Sequence, residues 1–191
     1  MIKQYNIILG SGSPRRKELL SGLDLHFRVV VREGIKETYP QDLPAKEVAR
    51  YIAEEKASAY TDLLSGDTMV ITADTIVVCD DTILGKPHDI NDAVRMLKML
   101  SGKTHQVITG VCISTKEKKK VFSVNTNVTF KRLQDTEIDY YVSKYKPFDK
   151  AGAYGIQEWI GHVGVEHLDG SYFNVMGLPV QRIYQTLTEE F

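Results

Sequence analysis

The stretch TMVITADTIVV, residues 68–78, decides the fold of this chain because it is an almost unbroken run of apolar and β-branched residues. Such a run is typical of a strand that is covered on both faces of an α/β sheet. Asp74 interrupts the run in its middle, and a charge buried there without a partner would be very costly. Asp74 therefore needs a cation, a metal ion or a proton. In an alternative interpretation the strand ends at Ala73 and Asp74 caps a turn, but the apolar residues 76–78 favour a continuous strand.

The segments on either side of this strand alternate between strand and helix patterns. A strand, YNIILG (5–10), precedes a helix from about Pro14 to Leu20, and further helices are predicted over 45–64 and 91–100. HQVITGVCIST (105–115) and VFSVNTNVTFKRL (121–133) flank the charged segment KEKKK, which indicates a long hairpin with a solvated tip. Strands that alternate with helices, together with one long hairpin, predict an α/β fold with a mixed sheet.

The composition bounds the class of protein. The 191 residues carry a formal net charge of −1, which gives no global attraction to nucleic acid or to an anionic membrane. No apolar run approaches the ~20 residues of a membrane-spanning helix, and no secretory signal is visible. Cys79 and Cys112 lie in apolar runs and are expected to be reduced core residues. We therefore expect a cytoplasmic enzyme or binding protein that forms one domain over residues 1–191, built as two lobes.

The segment GSGSPRR (10–16) places two arginines where a helix begins. Ser13 is a suitable N-cap and Pro14 suits the first helical position. Arg15 and Arg16 would oppose the positive end of the helix dipole unless an anion lies there, and a glycine turn before a helix N-terminus is a natural anion pocket. The segment matches neither a Walker loop nor a dinucleotide fingerprint. A capped surface helix with two solvated arginines remains the local alternative.

Two lysines add to the pattern of basic groups. Lys56 lies on the apolar stripe of the predicted 45–64 helix, so it faces inward unless its head escapes to water. Lys86 follows a glycine and precedes a proline in LGKPHD, which is either a rigid loop with a role or an ordinary turn. His105 is expected to be structural. These basic groups, together with a buried carboxylate, predict a polyphosphate site with a divalent metal ion.

Several motifs recur in a fixed order along nearly the whole chain. They are SGSPRR (11–16), ADTIV (73–77), GKP (85–87), SGKTHQVITG (101–110), DKAGAYGIQ (149–157) and GSYFNVMGLP (170–179). This set resembles the Maf family of nucleotide pyrophosphatases. The resemblance implies a mixed twisted sheet in an elongated two-lobed α/β domain with a central cleft, similar to the inosine-triphosphate pyrophosphatases. It also implies hydrolysis of a nucleoside triphosphate to the monophosphate and pyrophosphate, and a homodimer.

The resemblance assigns roles to individual residues. Asp74 matches the proton acceptor, and Arg15, Thr75 and Gln157 match the positions associated with substrate choice. The YGIQ ending is similar to the subgroup that acts on dTTP and UTP, and the 7-methyl-GTP subgroup differs here. An amide such as Gln157 offers the donor and acceptor that the O4/N3–H edge of uracil or thymine requires.

The remaining implied roles concern phosphate and metal. The anion pocket at the helix start and the resemblance together predict that phosphate is bound by Ser11, Ser13, Arg15, Arg16, Lys56 and Lys86. The resemblance implies that Mg²⁺ or Mn²⁺ is bound by Asp74 and Glu37. The family usually carries an acidic residue just before this glutamate, whereas this chain has Lys36. If the two acidic residues share the metal in the family, this chain has lost one of them, which weakens the assignment of Glu37 but not that of Asp74.

Two other functions stay open at this point. One is an inosine- or xanthosine-triphosphate pyrophosphatase, which would need a purine pocket. The other is a nucleotide-binding regulator of cell division, whose mark would be a degenerate catalytic position. Asp74 and all the basic positions are present, which argues against the regulator, whereas only the analogy of Gln157 and Thr75 with the family argues against the purine enzyme.

Overall fold

A computed structural model describes residues 5–191 of the chain. The strands are β1 (Asn6–Leu9), β2 (Phe27–Val29), β3 (Thr68–Cys79), β4 (Thr82–Leu84), β5 (Thr104–Ser114), β6 (Lys119–Phe130) and β7 (Val165–Asp169). The helices are α1 (Pro14–Ser21), α2 (Ala45–Ser58), α3 (Ile90–Leu100), α4 (Asp135–Tyr145), α5 (Trp159–Gly164), α6 (Tyr172–Met176) and α7 (Val180–Glu190). Short 3₁₀ turns occur at Thr61–Leu63 and Ala151–Ala153.

The strands form one sheet with the order β2-β1-β3-β5-β6-β7, and β4 pairs with β3 outside this path. β1 lies parallel to both β2 and β3, whereas β3–β4 and β6–β7 are antiparallel pairs. The predicted α/β fold with a mixed sheet is confirmed. β3 runs through Asp74 without a break, so the alternative in which the strand ends at Ala73 is wrong.

The described chain divides into two compact units. The first comprises the described residues up to Asp74 together with Thr109–Val124 and Gly177–Phe191. The second comprises Thr75–Ile108 and Asn125–Met176. Within residues 5–191, no helix is long and apolar enough to cross a membrane. Cys79 and Cys112 are buried free thiols, as their apolar runs predict.

In the first unit, α2 is shorter than the sequence predicts. It ends at Ser58 rather than continuing to residue 64. The backbone then tightens, since Tyr60 N–H donates to Ala57 O at 3.0 Å and Leu63 N–H to Tyr60 O at 2.9 Å. The apolar stripe continues as packing, because Leu63 and Leu64 lie against Tyr60 and its neighbours. A periodic stripe therefore identified the buried side correctly but did not locate the end of the helix.

Two contacts fasten α2 to the sheet. The Thr72 hydroxyl in β3 donates to the carbonyl oxygen of Ala53 at 2.7 Å. At Gly110 in β5, an added Cβ would lie only 2.2 Å from Ala49 O. The backbone of α2 thus passes so close to β5 that only a hydrogen atom fits between them. These contacts fix the height and rotation of α2 above the sheet.

The hairpin tip between β5 and β6 carries the lysines of KEKKK. Thr115 N–H donates to Lys118 O at 2.7 Å and closes the turn. Lys119 pairs with Glu54 at 3.2 Å and Lys120 with Glu190 at 2.8 Å. The hairpin is confirmed, and the ion pairs of these exposed or half-exposed lysines contribute little to stability.

In the second unit, His105 lies in a buried cluster with two aromatic side chains. His105 in β5 is 1% exposed and its ring meets Phe130 and Tyr154 edge-on. Its Nε2 lies 2.6 Å from the Tyr154 hydroxyl, and its buried Nδ1 has no hydrogen-bond partner among the described residues. Burial lowers the pKa of His105 to about 4, so this histidine is neutral at physiological pH. Its structural role agrees with the sequence-based expectation.

We expect Gly110→Ala to lower the free energy of unfolding by about 3 kcal/mol or more, because backbone atoms of α2 must move away from the new methyl group. Urea denaturation measures the change. Gly85→Ala is the matched control, since its Cβ would meet nothing within 4 Å. Equal stability of the two variants would contradict the close approach of α2 to β5.

We also expect His105 to make stability depend on pH. Its folded pKa of about 4 lies below the ordinary value of 6.5, so the unfolded chain binds an extra proton between these values. Stability due to this group is complete above pH 6.5 and falls, by up to about 3 kcal/mol, as the pH drops towards 4. Urea denaturation at pH 7 and pH 5 should show a smaller loss for His105→Gln than for the wild type. His167→Gln, at an exposed position, should behave as the wild type; parallel curves for all three proteins would refute the assignment.

Candidate functional site

The N-terminus of α1 is built as the sequence predicts. Ser13 caps the helix by accepting the Arg16 N–H at 3.4 Å, and Pro14 occupies the first turn. The Ser11 hydroxyl oxygen accepts the N–H of Ser13 at 3.2 Å, which shapes the loop before the helix. No acidic residue lies in the first turn of α1. The positive end of the helix dipole is therefore reinforced by Arg15 and Arg16.

The Arg16 guanidinium binds two backbone carbonyl groups. Its Nη1 donates to Ala73 O at 2.9 Å and its Nε to Gly177 O at 2.8 Å. Burial lowers the pKa of the guanidinium, and Asp74 and Glu37 act in the opposite direction. An arginine remains charged despite such a shift. Arg16 thus joins α1 to the residue immediately before Asp74.

Asp74 and Glu37 share one lysine. The Lys56 ammonium lies 2.8 Å from Asp74 Oδ1 and 2.8 Å from Glu37 Oε1. The side chains of Lys56 and Asp74 are 12% and 11% exposed, whereas that of Glu37 is 46% exposed. The inward direction predicted for Lys56 is confirmed, and Asp74 has the cation that its burial demands.

The local geometry explains why Lys56 reaches Asp74. Side chains two residues apart in a strand share a face, so Asp74 points the same way as Thr72. Residues three apart on a helix are neighbours, so Lys56 lies beside Ala53. The hydrogen bond from Thr72 to Ala53 O therefore aligns this face of β3 with the inner face of α2. The next residues along these faces are Asp74 in the strand and Lys56 in the helix, and they form the ion pair.

The two carboxylates of Asp74 and Glu37 need a positive charge beside them, which the Lys56 ammonium supplies. Removing one partner of a buried ion pair leaves an uncompensated charge and is strongly unfavourable. Two carboxylates at one ammonium suit a hard divalent cation as well, because Mg²⁺ is usually bound by one or two carboxylates together with substrate phosphates. Among residues 5–191 no cluster of three or more His, Cys, Asp or Glu side chains forms a complete metal cage. The donor set fits an ion that arrives with a phosphate ligand.

The other predicted site residues belong to the second unit. Thr75 is half-buried in β3, directly after Asp74, and Lys86 is exposed in the loop before α3. That loop is held by Gly152 N–H, which donates to Gly85 O at 3.0 Å. Gln157 is half-buried, and its Oε1 is buried without a hydrogen-bond partner among the described residues.

Sequence reasoning missed the residues that support these groups. Thr72 alternates with Asp74 along β3, and that spacing was a signal that could have identified it. The carbonyl groups of Ala73 and Gly177 gave no such signal, because any residue supplies a carbonyl. A cluster of the buried Tyr141 and Lys150 with the half-buried Glu158 was also missed, although Lys150 lies inside the DKAGAYGIQ motif.

Comparisons with known proteins agree with the motif pattern. A family model described as a Maf-like protein matches residues 6–190. A dTTP/UTP pyrophosphatase of Phocaeicola vulgatus is 59% identical over 186 residues, which cover 97% of this chain and 96% of that protein. A dTTP/UTP pyrophosphatase of Porphyromonas gingivalis is 52% identical over 190 residues, which cover 98% of this chain and 96% of that protein.

Among solved structures, a nucleoside-triphosphatase / dITP/XTP pyrophosphatase from Mycobacterium abscessus is 12% identical with a TM-score of 0.45, and the match covers 95% of this chain and 93% of that one. The family model and the sequence relatives span almost the whole described chain, and on that ground the chain belongs to the Maf family.

Proposed function

We propose that the protein hydrolyses dTTP and UTP to the nucleoside monophosphate and pyrophosphate. The observation that carries the proposal is the carboxylate of Asp74, buried in the middle of β3 and held by Lys56 at 2.8 Å. The relatives named dTTP/UTP pyrophosphatase, at 59% and 52% identity over nearly their full lengths, support the substrate.

In the proposed reaction, Asp74 is the general base. It takes a proton from a water molecule whose oxygen forms a bond to the α-phosphorus, and the bond from that phosphorus to the bridging oxygen breaks. Pyrophosphate leaves with the electron pair of the broken bond. Lys56 donates to Asp74 Oδ1 at 2.8 Å, and this contact holds the carboxylate in place for the proposed reaction.

The proposed phosphate site uses the start of α1 and the lysines. The backbone at a helix N-terminus and the guanidinium forks of Arg15 and Arg16 suit phosphate oxygens. Ser11 and Ser13 shape that loop, and Lys56 and Lys86 supply further positive charge. Arg16 has a second role in this proposal, because its bond to Ala73 O fixes the backbone next to the base.

A divalent cation, Mg²⁺ or Mn²⁺, would be held by Asp74 and Glu37 together with the phosphates. When bound, it would neutralise charge that develops on the phosphate oxygens. Glu37 is the weaker ligand of the two, because it is 46% exposed and its neighbour is Lys36 rather than an acid. Lys56 touches both carboxylates, so it competes with a cation for them.

Substrate choice is assigned to Arg15, Thr75 and Gln157 by the family resemblance. Gln157 suits this role because its amide complements the O4/N3–H edge of uracil and thymine. A base without the matching groups would leave buried polar atoms unpaired, and such a mismatch is rejected more strongly than a difference in shape.

We expect Asp74→Asn to lower kcat with dTTP and UTP about a thousandfold, since an amide cannot accept the proton. Pyrophosphate and orthophosphate are measured separately with Mg²⁺ and dTTP, UTP, CTP, ITP, GTP or 7-methyl-GTP. Asp80→Asn is the matched control, because Asp80 is an exposed aspartate just beyond the end of the same strand.

The outcomes of that assay separate the candidate functions. Pyrophosphate mainly from ITP would identify a purine enzyme instead. Nucleotide binding without turnover would identify a regulator. Substantial activity of Asp74→Asn would remove Asp74 from the role of base.

We expect Lys56→Gln to raise the affinity of the nucleotide-free protein for Mn²⁺ about tenfold, while turnover falls. Removing the ammonium frees both carboxylates from a competing cation. Electron paramagnetic resonance of free Mn²⁺ measures the affinity without any reaction. Lys119→Gln, which removes an exposed lysine paired with Glu54, should leave the affinity unchanged. Weaker Mn²⁺ binding by Lys56→Gln would contradict competition at this pair.

A further inference from the structure

The segment that carries Gln157 is built around a buried lysine. Lys150 is 9% exposed, and its ammonium lies 2.9 Å from Asp149 Oδ1 and 3.2 Å from Glu158 Oε1. The Asp149 side chain is 59% exposed, whereas that of Glu158 is 20% exposed. Glu158 is therefore the partner that compensates the buried charge, and Lys150 is immobilised close to Gln157 in the chain.

Tyr141 ties this ion pair to the backbone next to Gln157. Its hydroxyl donates to Glu158 Oε2 and accepts the N–H of Gly155 at 3.0 Å. Burial and, secondarily, the hydrogen bond to Glu158 raise the pKa of Tyr141, so the phenol keeps its proton and remains a donor. The chain of contacts runs from α4 through Tyr141 and Glu158 to Lys150.

The side chains of Lys150 and Gln157 both pack against Gly155. A Cβ added at Gly155 would lie 3.0 Å from Lys150 Cε, 3.1 Å from Gln157 Nε2 and 3.2 Å from Gln157 Oε1. The glycine therefore leaves room for both side chains. The two amide atoms are almost equally far from this point, so packing against Gly155 does not distinguish the amide oxygen from the amide nitrogen.

The orientation of this amide decides which pyrimidine it can read. Uracil and thymine present a carbonyl oxygen at C4 and an N–H at N3, whereas cytosine presents an amino group and a ring nitrogen acceptor. A glutamine amide turned by 180° exchanges its donor and acceptor, so it pairs with one pattern or with the other. Selection of uracil over cytosine therefore requires something that holds the amide in one orientation.

The charge of Lys150 is a source of such asymmetry, because Lys150 Cε and both Gln157 amide atoms lie within 3.2 Å of the same point, the position of a Cβ added at Gly155. A nearby ammonium attracts an amide oxygen and repels an amide NH₂ group. Gln157 Oε1 is also buried and accepts no hydrogen bond from the described residues. Such an acceptor is costly until a donor reaches it, and the N3–H of uracil or thymine is such a donor. Cytosine has no hydrogen at N3.

We propose that Lys150 is a specificity-determining positioning residue, whose ammonium, fixed by Glu158 and Tyr141, keeps the Gln157 amide in the orientation that accepts an N3–H pyrimidine. The proposal rests on the proposed function, because it concerns the choice between UTP and CTP at that same site. Lys150 acts through Gln157 and need not touch the substrate.

The test compares kcat/KM for UTP with that for CTP. Lys150→Met keeps most of the length of the side chain and removes its charge, so we expect the UTP preference to fall about tenfold. The loss should arise mainly from a higher KM for UTP, with kcat changed little. Lys150→Arg keeps the charge and should retain the preference. Lys98→Met is the control, because Lys98 forms an exposed ion pair with Asp135 in the same unit.

A second variant guards against misfolding. Lys150→Met leaves Glu158 without its cation, whereas the double variant Lys150→Met/Glu158→Gln removes both charges together. It should show the same loss of UTP preference with a melting temperature close to that of the wild type. Calorimetric binding of non-hydrolysable UTP and CTP analogues, in the Asp74→Asn background, should show the same change in ratio without any turnover.

The outcomes distinguish the two proposals. A wild-type enzyme that prefers UTP, together with charge-removing variants that keep this preference, would overturn the role of Lys150 and leave the proposed function intact. An equal loss of kcat/KM for both nucleotides would overturn it as well, since a merely structural role predicts that result. A wild-type enzyme that does not distinguish UTP from CTP would refute the substrate assignment and this inference together.

Discussion

The ion pair between Lys56 and Asp74 is the interaction on which the proposed chemistry depends. A strand covered on both faces excludes water from its middle, and a carboxylate there is tolerated only with a cation beside it. Lys56 satisfies this need at 2.8 Å and also reaches Glu37. In the proposed function, the same ammonium competes with a metal ion for Asp74. A change at Lys56 is therefore expected to alter both the stability of the protein and its proposed activity.

Two hydrogen bonds to backbone carbonyl groups, from Thr72 and Arg16, fix the positions of the side chains in the candidate site. Thr72 fastens α2 to β3, and the periods of helix and strand then place Lys56 opposite Asp74. Arg16 fastens the start of α1 to Ala73, so β3 fixes the position of both the proposed phosphate site and the proposed base. None of these supports is a reacting group. They set the positions of the reacting groups.

The sequence pattern predicts much of this arrangement. The break in the apolar run at Asp74 and the place of Lys56 on an apolar stripe both follow from the cost of burying charge. The end of α2 did not follow, because Leu63 and Leu64 keep the stripe going after the helix has stopped. The cluster of Lys150, Glu158 and Tyr141 joins side chains from α4 and the following loop. Such a meeting depends on tertiary packing, which a local period does not encode.

The close passage of α2 over β5 at Gly110 also bears on how this protein can diverge. Ala49 O would lie 2.2 Å from any side chain at that position, so the helix has no lateral freedom there. A lineage can exchange the outward residues of α2, such as Arg50 and Glu55, without moving the helix. Changes that thicken the inner side require a compensating change in the sheet at the same time. The close approach at Gly110 thereby restricts change on the inner side of the helix, from which Lys56 reaches Asp74.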